Sequence, residues 1–294
     1  MVKVSIVIPV YNRKNFLTVC IKSLLAQSFE DFEICLVDDG STDGTGLLCD
    51  ELAEKDTRIR VLHVQNGGAA YARQKGVELA TGEWVVFVDS DDTMPADALQ
   101  RLFQATSEDT DIVVGFCRKK RLWGVNRLSP ACYRKLLIKG RYNISATCGK
   151  LFRRTLFDEY TLRTPREIVM GEDMLMNLRL AFASKPVRLV GGNSVYNYIQ
   201  HGGNITHVFK LTADYEHIFH KERLLSIPEE EHARYMPVMI YRRLRMLRRI
   251  LRCAQKDNTV EELRTSVNPE KPDVPLNKND AFQKVQKRRV QEKR

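Results

Sequence analysis

The chain has 294 residues, of which 43% are hydrophobic and 29% charged, which is typical of a soluble globular protein with one large or two modest domains. It contains no apolar run close to the roughly 20 residues that span a bilayer, and its first apolar segment lacks a cleavage site, so neither a membrane span nor a signal peptide is predicted. The net charge is +10, but residues 237–256 alone hold seven basic residues and no acid. The remainder is nearly neutral, which argues against a general nucleic-acid binder.

The first half alternates strand-like and helix-like segments. Strands are predicted at 4–10, 32–37, 58–64, 84–88 and 111–115, and helices at 13–27, from the turn at 38–44 through 55, at 69–80 and near Pro95. Asn12 is the expected N-cap of the first helix. Repeated β-α-β units with apolar strands predict an α/β fold with a mainly parallel sheet covered on both faces.

The second half is less regular. Residues 116–170 contain short segments and turns. A helix at 172–183, short strands at 187–190 and 194–199, and a glycine turn at 202–203 follow. Residues 212–256 are predicted to be wholly helical, and the chain from 266 onward to be disordered because it has few large apolar residues and many charges.

Seven scattered cysteines form no C-x-x-C pair. An odd, scattered set predicts reduced thiols in a cytoplasmic protein.

Acidic residues follow two of the predicted strands. Asp38 and Asp39 end one strand and Asp89 ends another. Ligands of parallel sheets bind beyond the carboxyl ends of the strands, so both clusters should face one crevice. The glycines of Asn66-Gly67-Gly68 would let the backbone pass close to a ligand there.

The segment Asp89-Ser90-Asp91-Asp92 has two interpretations. Asp89 and Asp91 can offer oxygens to one hard cation, Mg²⁺ or Mn²⁺, which would share its other sites with water and a substrate phosphate and neutralise a diphosphate leaving group. Alternatively, Asp91 or Asp92 caps the next helix.

Two acids also open the helix at 172–183. Glu172 and Asp173 fit the positive end of the helix dipole, which is a sufficient structural explanation. A carboxylate held there in a pocket could also act as a general base.

Five patches taken together resemble the inverting family 2 glycosyltransferases of the bacterial surface-glycan type, which adopt the GT-A fold. They are VSIVIPVYN (4–12), QSFEDFEICLVDDGSTDGT (27–45), NGGAAYARQKGVELATGEWVVFVDSDD (66–92), GKLFRR (149–154) and GED (171–173). The resemblance implies a Rossmann-like catalytic domain over 1–206, with a nucleotide-binding half at 1–115 and an acceptor half at 116–206. A helical extension over 207–265 and a disordered basic tail over 266–294 would follow.

The resemblance assigns roles in donor binding. Pro9 and Tyr11 would line the nucleobase pocket, although core packing is the alternative for Tyr11. Asp39 matches the acid that hydrogen-bonds the base, usually uracil, with Asp38 beside it. Arg73 matches a basic position that holds the nucleotide, the alternative being a solvated helix face.

The resemblance also assigns residues to the metal and the diphosphate. Asp91 would coordinate Mn²⁺ or Mg²⁺, Asp89 would contact the ribose or the metal, and Ser90 between them would also belong to the donor-binding site. His201 could contact phosphate or metal, or be plain surface; the arginine that the family often has nearby is absent.

Asp173 matches the general base, with Glu172 as its neighbour. The implied reaction moves a hexosyl or N-acetylhexosaminyl group from a nucleotide-diphosphate donor, a UDP-sugar, to a hydroxyl of a glycan or lipid-linked acceptor. A sugar nucleotidyltransferase is one alternative, although the segment PVYNRKN is not the glycine-rich loop expected of it. A non-catalytic sugar-nucleotide-binding protein is the other.

The basic segment 237–256 is amphipathic. Ile240, Leu244, Leu247 and Leu251 form one helical stripe with arginines around the remainder. Such a helix can lie on an anionic membrane, here the inner face of the cytoplasmic membrane. The alternative is that the stripe packs on the catalytic domain and the arginines are solvated.

Overall fold

The computed structural model describes residues 2–116, 127–140, 142–201 and 209–256. Its strands are β1 (Val4–Val10), β2 (Phe32–Asp38), β3 (Ile59–His63), β4 (Trp84–Phe87), β5 (Ile112–Val114), β6 (Arg127–Leu128), β7 (Lys150–Arg153) and β8 (Val187–Leu189). Its helices are α1 (Lys14–Leu25), α2 (Thr45–Lys55), α3 (Ala69–Leu79), α4 (Ala98–Gln104), α5 (Pro130–Ile138), α6 (Tyr142–Ser145), α7 (Glu159–Leu162), α8 (Glu172–Ala183), α9 (Ala213–Leu225) and α10 (His232–Lys256).

The described strands form one sheet in the order β3-β2-β1-β4-β7-β5-β8-β6. The pairs β1–β2, β1–β4, β2–β3 and β5–β8 are parallel, which confirms the predicted parallel arrangement for β1 to β4, whereas β6 is antiparallel to β8 and the sheet as a whole is mixed. β7 is antiparallel to both of its neighbours, β4 and β5. It joins β3, β2, β1 and β4 on one side to β5, β8 and β6 on the other.

Helices cover both faces of the parallel half. α1 buries Leu17, Cys20, Ile21 and Leu24. On the other face, a Cβ added to Gly76 of α3 would lie 2.2 Å from the Cγ1 of Val7 in β1. α3 therefore packs closely on the sheet, and this contact fixes where its arginine, Arg73, lies.

Asn12 does not cap the first helix as predicted. Its φ is 52°, in the left-handed region that asparagine tolerates, and its side-chain oxygen accepts a hydrogen bond from the Thr42 backbone N–H at 2.8 Å. Arg13 takes the N-cap position without a side-chain cap. Asn12 thus joins the loops that follow β1 and β2.

The strand predicted at 194–199 is wrong. The segment forms only an isolated bridge between Asn197 and Thr93. The Ser194 hydroxyl donates to the Tyr196 carbonyl at 2.6 Å, a local bond that competes with a sheet ladder. The segment instead crosses the end of β4, where it contacts the acidic loop.

The helical C-terminal segment is interrupted. α9 ends at Leu225, and α10 begins at His232 after a short 3₁₀ turn, Glu229–Glu231. Pro228 lies in this break and has no N–H to continue a helix. α10 packs Tyr235, Met239 and Ile250 into buried positions. None of the described helices has the length and apolar content needed to cross a membrane.

Two sequence-based expectations remain predictions. The division at 206 and 265 is untested, and the tail 266–294 lies outside the described residues. Among the described residues, cysteines 20, 35, 49, 132 and 148 are not in disulfides.

Candidate active site

The carboxyl ends of β1, β2 and β4 meet at one edge of the sheet. Val10 pairs with Asp38, and Val7 pairs with Phe87, two residues before Asp89. The predicted site residues that follow these strands therefore share one crevice. Tyr11 lies at the edge of this crevice with 46% of its surface exposed, so it does not pack in the core.

Asp38 and Asp39 organise the loops at the β2 end of the crevice. The two carboxylate oxygens of Asp39 accept backbone hydrogen bonds from Gly67 at 2.7 Å and Gly68 at 2.8 Å. Asp38 accepts from the Ser41 N–H at 3.1 Å and lies 2.9 Å from a ring nitrogen of His63. Both acids thus shape the crevice wall.

Arg73 is the centre of the other end of the crevice. Its Nη2 donates to the Asp89 Oδ1 at 3.0 Å, and its Nη1 lies 3.1 Å from the Glu172 Oε1 and 3.0 Å from the Asp173 Oδ1. Its side chain is only 6% exposed, so it is not on a solvated helix face. Arg73 joins the acid that ends β4 to the two acids that open α8.

Glu172 and Asp173 occupy the first turn of α8, directly after Gly171. Gly171 has a φ of 90°, and a Cβ there would lie 2.9 Å from the Phe219 ring of α9. Burial raises the pKa of Glu172 to about 7, with the Asp173 carboxylate adding to the rise and Arg73 opposing it. The Asp173 Oδ2 accepts a long hydrogen bond from the Thr147 N–H at 3.4 Å. Its Oδ1 is near Arg73 but has no aligned hydrogen bond.

Asp91 lies between an imidazole and a guanidinium. Its Oδ2 is 2.8 Å from the His201 Nε2 and 3.3 Å from the Arg13 Nε. The His201 ring stacks on Phe16 with centroids 4.4 Å apart. His201 is therefore part of the crevice, contrary to the plain-surface alternative.

Asp92 holds the segment 196–199 against the acidic loop and does not cap a helix. It accepts hydrogen bonds from the Tyr196 hydroxyl at 2.6 Å and the Ile199 N–H at 2.7 Å. The same hydroxyl accepts from the Asp89 backbone N–H at 3.1 Å. Burial raises the pKa of Asp92 to about 7. The residue preceding α4 is Asp97, so the capping alternative for Asp92 is wrong.

The protein donors fit a divalent cation only if substrate and water complete its shell. No group of three or more histidine, cysteine or acidic side chains arranged for a metal is found within the described ranges. Asp91 and His201 offer one carboxylate and one imidazole in contact. Mg²⁺ and Mn²⁺ suit carboxylates, and Mg²⁺ commonly uses one or two of them together with phosphates and water.

Sequence reasoning missed several contacts at this site. Arg13 and Asp91 are 78 positions apart in the chain. The loop that carries Arg13 reaches Asp91 only because of the way α1 packs on the sheet. Tyr196 lies in the segment that the sequence pattern predicts as a strand, and nothing in that pattern predicts the approach of the Cys148 thiol to within 3.4 Å of the Asp89 Oδ2. The contact of Arg13 with Asp91 could have been suspected from the sequence. The resemblance leads one to expect an arginine near residue 201, it is absent, and Arg13 is a basic residue in another crevice loop. Ser90 is buried, with 5% of its surface exposed, and Pro9 lies in β1.

Comparison with known proteins identifies the family. A model of glycosyl transferase family 2 matches residues 5–161, more than half of the 294-residue chain. The chain belongs to glycosyl transferase family 2. The match covers the crevice loops up to β7 and ends before Glu172 and Asp173.

Two bacterial glycosyltransferases are among the relatives of this glycosyl transferase family 2 chain. The glycosyltransferase GlyG of Streptococcus pneumoniae is 44% identical over 114 residues, which cover 38% of this chain and 38% of GlyG. The glycosyltransferase EpsJ of Bacillus subtilis is 32% identical over 228 residues, 73% of this chain and 66% of EpsJ. The chain spans between about a third and two thirds of the length of the first curated relatives that it matches.

Solved structures confirm the GT-A fold. The S. aureus TarS 1–349 structure in complex with UDP-GlcNAc aligns with a TM-score of 0.67 and 22% identity, over 82% of this chain and 71% of that one. The mannosyltransferase PcManGT from Pyrobaculum calidifontis, in complex with GDP-Man and Mn²⁺, aligns with a TM-score of 0.56 and 18% identity, over 90% and 79%. Identities this low establish the fold alone.

Proposed function

We propose that this protein is an inverting glycosyltransferase that moves a sugar from a nucleotide-diphosphate donor to a hydroxyl of a glycan or lipid-linked acceptor. The observation that carries the proposal is the position of Arg73, which contacts Asp89 on one side and Glu172 and Asp173 on the other. It brings the acids at the end of β4 next to the acids at the start of α8. In a single displacement the leaving group and the general base lie on opposite faces of one anomeric carbon, so their two sites must open into the same crevice.

The donor in this proposal is a UDP-sugar that carries a hexosyl or N-acetylhexosaminyl group. Its nucleobase would lie beside Tyr11 and the loop that Asp39 holds through Gly67 and Gly68. The TarS structures in complex with UDP and with UDP-GlcNAc, which share the fold, support uridine.

Asp91, helped by His201, would hold Mn²⁺ or Mg²⁺, which when bound supplies positive charge beside the departing diphosphate. PcManGT, which shares the fold, contains Mn²⁺. Asp89 has its Oδ1 on Arg73 and its Oδ2 next to the Cys148 thiol, which burial keeps protonated by raising its pKa. Asp89 is therefore held in place at the end of β4, where it would contact the ribose or the cation.

Asp173 would remove the proton from the acceptor hydroxyl, which then attacks the anomeric carbon from the face opposite the diphosphate. Its Oδ1 is buried against Arg73, so the Oδ2, which accepts only a long hydrogen bond from the Thr147 N–H at 3.4 Å, is the oxygen that would accept the proton. Glu172 completes the pair, and Arg73 balances the negative charge of the two carboxylates.

A panel of nucleotide sugars incubated with Mn²⁺ or Mg²⁺, with and without chelator, tests this function. Products are assayed as nucleoside diphosphate. A parallel reaction with a nucleoside triphosphate and a sugar 1-phosphate is assayed for pyrophosphate, which a sugar nucleotidyltransferase would release there. Asp173→Asn should lower kcat by about 10²–10⁴-fold, while Asp97→Asn, at an exposed surface pair, should leave it unchanged. Turnover unaffected by Asp173→Asn would contradict the base assignment, and no turnover with any donor would favour a non-catalytic binding protein.

A further inference from the structure

α10 has an apolar face in addition to the one that packs on the protein. Its inward face buries Tyr235, Met239 and Ile250. The inward face also buries Val238, and on a wheel of about 100° per residue the stripe Ile240, Leu244, Leu247 and Leu251 is centred about 140° from the centre of that face, with Leu247 at its half-buried edge. The stripe therefore does not supply the packing of the helix on the catalytic domain.

The outward stripe is exposed. Ile240, Leu244 and Leu251 are each 50% exposed, and the neighbouring Tyr241 is 57% exposed. Half-exposed aliphatic side chains are ordinary when isolated, but here they repeat over three turns, about 16 Å of helix. A contiguous apolar stripe of this kind indicates a contact surface.

An arginine band borders the stripe on its solvent side. Arg245, Arg248, Arg249 and Arg252 are exposed, and none of the ion pairs found among the described residues includes them. Residues 237–256 contain no acid that could neutralise them. The surface is therefore apolar along its centre and positively charged along its edge.

We propose that this outward face of α10 binds an anionic phospholipid bilayer, with the apolar stripe in the headgroup–acyl boundary and the arginines on lipid phosphates. Arginine side chains can reach the headgroups while their apolar stems cover hydrocarbon. A second copy of the chain fits less well, because a two-fold contact would oppose two identical arginine bands. The proposal does not depend on the sugar-transfer reaction, since it uses none of the crevice residues.

Cosedimentation of the full chain with vesicles tests the proposal. Phosphatidylcholine vesicles containing phosphatidylglycerol should bind the protein, and vesicles of phosphatidylcholine alone should not. The double variant Leu244→Gln, Leu251→Gln should partition at least tenfold more weakly without a change in circular dichroism or melting temperature. The double variant Arg248→Gln, Arg252→Gln should lose about fivefold per arginine. Val19→Gln, which alters an equally exposed apolar residue on α1, is the matched control and should bind like the wild type.

Each contrary result overturns the proposal. Binding that survives both double variants would place the lipid contact elsewhere in the chain. Equal binding to neutral vesicles would remove the role of the arginines. Light scattering that shows a dimer in the wild type and a monomer in the leucine variant would assign the stripe to self-association. Substitutions are preferable to removing α10, because deletion would also remove its buried residues from the core.

Discussion

Replacing Arg73 by methionine removes a buried guanidinium that contacts three carboxylates. The side chain is 6% exposed and lies 3.0–3.1 Å from oxygens of Asp89, Glu172 and Asp173. Methionine keeps most of the volume, so the change is chiefly one of charge. The three acids would then share a partly buried space without their cation.

The expected cost is about 3–5 kcal/mol of unfolding free energy near pH 8, the usual cost of removing one partner of a buried ion pair. The uncompensated carboxylates would take up protons in the folded state, so their pKa values would rise above the unfolded values. A raised carboxyl pKa contributes stability that is present at low pH and lost as the pH rises through it. The cost of Arg73→Met should therefore shrink by about 1–3 kcal/mol at pH 5.

Urea unfolding followed by circular dichroism at pH 5 and pH 8 measures both values. Domains are typically stable by about 5–15 kcal/mol, so the variant should remain folded for the measurement. Arg234→Met is the control, because Arg234 is 59% exposed and pairs with Glu231 at 3.5 Å; it should cost less than about 1 kcal/mol at either pH. An Arg73→Met cost that is equally small, or that is the same at both pH values, would refute the charge-balance reasoning.

Two further substitutions test the acidic loop. In the wild type, the Asp92 carboxyl has its pKa raised to about 7, so its ionisation should lower the free energy of unfolding by roughly 1–3 kcal/mol between pH 5 and pH 8. Asp92→Asn should remove this part of the pH dependence. Urea titrations that give the same pH profile for the variant and the wild type would disprove this prediction. Arg13→Met should tighten Mn²⁺ binding about two- to fivefold in titrations followed by electron paramagnetic resonance, because a competing cation 3.3 Å from the Asp91 Oδ2 is removed. Weaker Mn²⁺ binding would show that Arg13 orients Asp91 instead.

The nucleotide-binding half was largely predictable because its strands are continuous apolar runs that end at turn residues. β2 was predicted to within one residue and β1 without error, and parallel pairing follows from the intervening helices. The common edge of Asp38 and Asp89 follows from that topology. Local pattern and overall fold agree in this half.

The contacts within the site were less predictable because they join distant parts of the chain. Arg73 and Glu172 are 99 positions apart, and their meeting depends on how α3 and α8 both pack on the sheet. β7 has four residues and gives too short a pattern to identify as a strand. The segment at 194–199 has the composition of a strand, but Asp92 draws it into the acidic loop through Tyr196 and Ile199.

The packing of α9 behind the start of α8 has a consequence for the construction of chimeras. The Tyr215 hydroxyl donates to the Met170 carbonyl at 2.7 Å and accepts from the Met170 N–H at 2.8 Å, and Phe219 lies against Gly171. The match to the family ends at residue 161, before both the two acids and these supporting contacts. A crossover placed at that boundary would keep these supporting contacts with Asp173 but would take its partner Arg73, 3.0 Å from the Asp173 Oδ1, from the other parent. Exchanges between relatives should therefore keep everything through Leu225 from a single parent.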